Sequence, residues 1–253
     1  MLVDIITIFP DMFGEVFQFG IVRRAREAGL LDIRVHDLRS WTRDRHRATD
    51  DVPYGGGPGM VMKPEPLVDA VESVVQRDIP SESRDIILLS PRGKLLQQEG
   101  VRQISMKKQI VLVSGRYEGV DERFLFLTGA REVSIGDYVL SGGEIPAMVL
   151  VDGVTRLLPG AISDPESHRE DSFSRGLLDF PHYTRPACFR DVSVPETLLS
   201  GNHAAVRRWR KHRAIEDTMS RRPELLSEAC LDDEERSILE EDNLIPSMDG
   251  NEN

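Results

Sequence analysis

Five short apolar stretches, residues 2–9, 31–38, 86–89, 110–113 and 132–135, constrain this chain more than anything else in it. Four of them end at turn formers: Pro10-Asp11, Ser90-Pro91, Ser114-Gly115 and Gly136-Asp137. The stretch 31–38 alternates, with Leu31, Ile33 and Val35 against Asp32, Arg34 and His36, as a half-covered strand does. The others are too short for helices and rich in β-branched residues, which predicts buried strands. Between the strands lie helix-compatible segments: 11–28, stopped by Gly29; 64–76, with Pro64 in its first turn; 94–104; and 121–128. The run 143–158 predicts one more helix, apolar enough to be buried. Strands alternating with helices predict an α/β domain on a mostly parallel sheet.

At Pro159 the pattern stops. Residues 160–175 are polar, without periodicity, and read as a flexible linker. From 176 to 242 the chain reads as a small all-α domain, with a basic helix at 203–213 and further helical pieces at 225–229 and 234–239. The tail, 243–253, is expected to be disordered. The organisation is therefore a first domain over 1–159, a linker and a smaller helical domain, which suits 253 residues.

Net charge is −11, yet it is unevenly placed. Residues 224–253 hold eleven acids and one base, so the first 223 residues sum to −1. Within them, residues 23–47 carry a net +4 and residues 185–222 a net +5. Two basic regions beside an acidic tail permit phosphate contacts. Solvated helix faces would give the same tally, so charge alone leaves the point open.

Several classes are excluded. The longest apolar run, 145–151, falls far short of the ~18 residues that suggest a membrane span, so no membrane partner is expected. Residues 1–10 carry Asp4 and no basic lead, unlike a secretion signal. Two cysteines, Cys188 and Cys230, form neither a metal motif nor a disulfide framework, which points to the reducing cytoplasm.

Glycine marks the candidate site. Residues 54–59, Tyr-Gly-Gly-Gly-Pro-Gly, match neither a Walker A loop nor GxGxxG; they suit a loop that closes over a ligand, or merely a tight turn. Three more Gly/Ser loops follow the strands ending at 89, 113 and 135. Ligands of open α/β sheets bind at the carboxyl ends of strands. Any one loop is explained by turn geometry; three together favour a composite small-molecule pocket lined by backbone groups. Asp152 and Arg156 are spaced i,i+4, as in a plain surface ion pair, but the helix is otherwise apolar and Arg156 could serve a pocket. In 181–186 a ring, a hydroxyl and a cation combine, fit for stacking on bases or holding phosphate, or for a rigid turn. Ser200 or Asn202 could cap the basic helix that follows.

Taken together these stretches resemble the bacterial tRNA (guanine-N1)-methyltransferases, the TrmD family. The resemblance runs over roughly residues 2–240. It rests on Ile8-Phe9-Pro10-Asp11-Met12-Phe13, the 54–60 loop, Gly115-Arg116-Tyr117-Glu118-Gly119-Val120-Asp121-Glu122-Arg123, Ser134-Ile135-Gly136-Asp137-Tyr138-Val139-Leu140, Gly142-Gly143-Glu144, Glu170-Asp171-Ser172-Phe173, Gly176-Leu177-Leu178-Asp179, the 181–186 segment and Leu199-Ser200-Gly201-Asn202-His203.

The resemblance implies a SPOUT-type α/β fold with a deep trefoil knot, one of the few exceptions to the no-knot rule. It implies S-adenosylmethionine as the cofactor, held by Leu89, Ser90, Pro91 and Gly93; by Gly115, Tyr117, Glu118 and Gly119; and by Ser134, Ile135, Gly136, Asp137, Tyr138, Val139, Leu140, Gly142, Gly143 and Pro146. It also implies a homodimer whose sites lie at the subunit interface, and a tRNA substrate methylated on N1 of the guanine at position 37. Asp171 then matches the family's general base, and Arg156 the cation that stabilises charge on guanine O6. Mg²⁺ dependence is implied as well, with no ligands assignable from the sequence. Without the resemblance, a nucleotide-binding metabolic enzyme with no RNA affinity fits the same pocket.

Overall fold

The computed structural model describes residues 1–162, 171–227 and 229–241. The chain divides into two compact units, Met1–Ser163 and Asp164–Asn253.

In the first unit five strands form one sheet: β1 (Leu2–Thr7), β2 (Asp32–Asp37), β5 (Arg84–Leu95), β6 (Gln109–Ser114) and β7 (Arg131–Ser134). The order is β2-β1-β6-β5-β7 and every pairing is parallel. Strand β6 is buried at all six residues, whereas β2, at an edge, alternates in its first half. Side chains two apart share a face of a strand. Val3, Ile5, Ile87, Leu89, Ile110 and Leu112 accordingly point to one face, where α1 (Gly20–Glu27), α3 (Gln98–Ser105) and α5 (Glu144–Arg156) cover them. Ile6, Leu88, Val111 and Val113 point to the other, under α2 (Pro64–Val74) and α4 (Arg123–Thr128). The parallel α/β expectation therefore holds.

Three segments differ from their expected form. Residues 11–28 are not one helix. Two 3-10 turns, Pro10–Phe13 and Val16–Gln18, come first, and extended Phe19 separates them from α1. The turns bury Phe13 and Phe17, whose rings stack at 5.8 Å, and the chain breaks at extended Phe19 and at Gly20, whose φ of 62° lies outside the right-handed helix. Residues 94–104 are helical only from Gln98, because Lys94 and Leu95 still pair with Val133 and Ser134 of β7. Sequence reads no strand around the 54–59 glycine loop, yet β3 (Asp50–Asp51) pairs with β4 (Val61–Met62), so the glycine cluster is the tip of a closed ribbon.

The second unit packs α7 (His203–Arg221) and α8 (Asp233–Glu241) around Leu177, Ile215 and Ile238. A short helix, α6 (Glu196–Leu199), precedes them. Asn202 caps α7, accepting from the backbone N–H of Ala204 and Ala205. The helix runs on to Arg221, because nothing breaks it before Pro223. The all-α expectation needs one correction. Strands β8 (Cys188–Phe189) and β9 (Val192–Ser193) form a small antiparallel hairpin, closed by Arg190 and Asp191 in left-handed conformation. Phe189 and Val192, good strand formers, sit across the pair. The expected linker residues 163–170 and the tail 243–253 lie outside the described residues.

Candidate active site

The bulge of β5 and the carboxyl ends of β6 and β7 open onto a cavity of about 350 Å³. From β5, Leu89, Ser90 and Pro91 line it; from the loop after β6, Gly115, Tyr117, Glu118 and Gly119. After β7 come Ser134, Ile135, Gly136, Tyr138, Val139, Leu140, Gly142, Gly143 and Pro146. Thus the three loops singled out by glycine do converge.

Two expected residues are not in the wall. Asp137 is exposed and does not line the cavity. Gly93 is a packing residue: Leu89 and Lys94 both pair with Val133, so residues 90–93 bulge from the ladder. A Cβ on Gly93 would lie 2.3 Å from the Val133 backbone nitrogen, and only glycine fits.

Backbone hydrogen bonds hold the loops together. Gly143 N–H donates to the Gly115 carbonyl at 2.9 Å, joining the start of α5 to the loop after β6. The returning arm of the 54–60 loop is stitched to the same loop: Glu118 N–H donates to the Met60 carbonyl at 3.0 Å, and Met62 N–H to that of Gly119 at 2.9 Å. Tyr54 at the tip stays exposed. Tyr117 holds a left-handed conformation, φ 61°, unusual for a side chain of its size. Burial pushes its phenol pKa up, and the carboxylate of Asp50 adds to the shift.

The wall also carries charges that glycine spacing did not flag: Arg92, Arg116, Glu122 and Glu132, beside the expected Glu118. Arg92 reaches Glu122 at 3.1 Å and Glu132 at 3.8 Å, and its hydrogen bond to Glu122 raises its pKa further. All of these lay beside the Gly/Ser loops, and that adjacency was the available signal.

Arg156 and Asp171 belong to different units. Arg156 ends α5, is exposed and is not in the cavity wall. In the second unit, Asp171 lines a smaller cavity of about 130 Å³ with Arg175, Phe180, Arg207, Arg210 and Lys211. Around it the Arg210 guanidinium lies 4.8 Å from the Phe180 ring, and Phe180 lies 4.7 Å from the His182 ring. Tyr183 meets Trp209 edge-on at 6.2 Å. Cations beside aromatic rings suit contact with a nucleic acid. Part of the basic helix is neutralised internally, however. Lys211 bonds Asp232 at 2.8 Å and Glu234 at 2.6 Å, and Arg208 pairs with Glu241.

The family model described as tRNA (Guanine-1)-methyltransferase TrmD matches residues 1–228. Curated tRNA (guanine-N(1)-)-methyltransferases are similar along nearly the whole chain. The protein of Dictyoglomus turgidum is 51% identical over 239 residues, 94% of this chain and 95% of its own. That of Moorella thermoacetica is 50% identical over 241 residues, 95% and 96%. That of Pseudomonas putida strain W619 is 52% identical over 239 residues, 94% and 95%.

Proposed function

Because the chain belongs to the TrmD family of tRNA (guanine-N1)-methyltransferases, we propose that the cavity at the ends of β5–β7 holds S-adenosylmethionine and that guanine 37 of tRNA receives its methyl group. The observation that carries this reading is the cavity itself. Three loops present backbone groups for an adenosine, and the wall holds three carboxylates, Glu118, Glu122 and Glu132, against two guanidiniums, a balance that suits a cationic sulfonium. When bound, the donor supplies an electrophilic methyl group.

Guanine N1 bears a proton near neutral pH, so its lone pair is not free to attack. Asp171 takes that proton as general base. A carboxylate is a weak base, so the negative charge building on O6 needs help, and Arg156 supplies a fixed cation there. Aligning the donor's sulfur, its methyl group and N1 lowers the entropic part of the barrier. The guanine leaves its stack to reach the site. The rings and cations around Phe180, Tyr183 and Trp209 hold the RNA. The same reading includes the trefoil knot that the family resemblance implies and a cytoplasmic enzyme. Among the described residues no helix is long and apolar enough to cross a membrane.

A second copy of the chain completes the site. In the first unit Phe9, Met12, Val16 and Phe19 remain exposed, as do Ile145 and Val149, one turn apart on α5. An apolar face of that kind is what a symmetric dimer covers. Mg²⁺ is a different matter. Among the described residues no three His, Cys, Asp or Glu side chains gather as a metal cluster, so no residue is assigned to the ion and no step runs through it.

Mapping the product tests the reading. After incubation with tRNA and S-adenosylmethionine, a reverse transcriptase that stops at N1-methylguanine should halt at position 37. A halt elsewhere, or none, would contradict it.

A further inference from the structure

Glu144 closes the Gly142-Gly143-Glu144 motif, and the reaction above gives it no task. It lies in the first turn of α5 and is 1% exposed. Both its oxygens are engaged. The Thr7 hydroxyl of β1 donates to Oε1 at 2.8 Å, and Arg116 Nε donates to Oε2 at 3.0 Å. The Arg116 guanidinium also lies 4.6 Å from the Phe9 ring centroid. A helix, a strand and an aromatic face therefore fix one arginine in the cavity wall.

Much of that arginine's capacity is unspent. A guanidinium has five N–H donors. Among the described residues only its Nε meets an oxygen; the terminal nitrogens meet a thioether, Met12 Sδ, 3.8 Å from Nη2. The other cation of the wall, Arg92, has its ends on Glu122 and Glu132. With Glu118, three carboxylates face two guanidiniums, so the cavity suits a ligand with a cationic part. Of the two guanidiniums in the wall, Arg116 is the one whose terminal nitrogens are not on carboxylates, so it can take an anionic part of the same ligand.

We propose that Arg116 binds the carboxylate of the amino-acid portion of the methyl donor, and that Glu144 is the positioning residue that aims it. The proposal rests on the reading that the donor is S-adenosylmethionine. A tRNA phosphate is the rival anion. The Arg116 side chain is only 18% exposed and acids surround the cavity, which disfavours a polyanion there.

Calorimetry with two ligands tests this. S-adenosylhomocysteine carries the amino-acid portion; 5′-methylthioadenosine keeps the adenosine and sulfur but lacks it. The wild type should prefer the first. R116Q should reduce that preference about 10-fold or more, the scale for losing a charge-assisted hydrogen bond, and leave methylthioadenosine binding unchanged. E144Q should shift the preference the same way by less, because Arg116 keeps its charge and loses its aim. A merely structural role would weaken both ligands alike. An unchanged preference in R116Q overturns the proposal. So does an intact preference with a shallower salt dependence of tRNA binding, which would assign Arg116 to RNA phosphate. Equal loss of both ligands in E144Q removes the positioning role of Glu144. A wild type that bound neither ligand would overturn the donor reading, and the proposal with it.

Discussion

Gly59 and Glu118 lie so close that a Cβ on Gly59 would stand 2.3 Å from Glu118 Oε1. Gly59 also has φ +78°, a region that side chains avoid. This one approach ties the glycine-rich loop to the cavity wall and explains why a loop distant in sequence belongs to the site. Gly59→Ala should cost about 1–3 kcal/mol of stability, the scale of a residue held in disfavoured backbone. It should also weaken S-adenosylhomocysteine binding. A thermal melt and a binding isotherm measure the two; normal affinity in a destabilised variant would uncouple the loop from the pocket.

The proposed division of labour separates binding from chemistry. Asp171→Ala should abolish methyl transfer while S-adenosylhomocysteine binds as before, because Asp171 lies in the second unit and the donor cavity in the first. Near-normal turnover would remove Asp171 as the base.

For Arg156→Ala the single-turnover rate should fall by about 10²-fold or more, the usual loss when a main charge stabiliser is removed. An unchanged rate would return Arg156 to the role of a helix-end surface cation.

Acid should loosen the second unit first through Asp232. Burial is the largest single influence and works against its charge, but the hydrogen bonds from Lys211 and from the Glu235 N–H, with the nearby charges of Lys211 and Arg175, together outweigh it and hold its pKa below the usual carboxylate range. A carboxylate depressed in the folded state stabilises above its unfolded pKa, and that contribution fades as pH falls through the folded value. Asp232→Asn should therefore lower the melting temperature at neutral pH and make little difference well below the carboxylate range. A gap of constant size across that window would show that the pair carries no pH-dependent stability.

Much of this was legible in the residues. The five apolar stretches became the five strands of the sheet, because buried parallel strands must be apolar on both faces, as β6 is. The three Gly/Ser loops met at one cavity for the reason strand ends in such sheets always do: the strands run the same way. Tertiary detail was not legible. The two turns before α1 end where Phe19 is extended and Gly20 takes a φ of 62°, a break that the local apolar pattern does not announce. Gly93 and Asp137 carried the right spacing, yet Gly93 sits in a ladder bulge packed on Val133 and Asp137 is exposed beside the wall. Arg92, Glu122 and Glu132 join the wall from separate elements, so no single motif contains them. The 188–193 hairpin is two residues deep on each side, too short for alternation to register.

The most direct test is single-turnover methyl transfer from labelled S-adenosylmethionine to two tRNA transcripts, one with guanine and one with adenine at position 37. The same protein preparation would serve for both, with and without Mg²⁺. Label in the guanine transcript alone is the predicted result. Equal label in both transcripts, or none in either while tRNA still binds, would contradict the account.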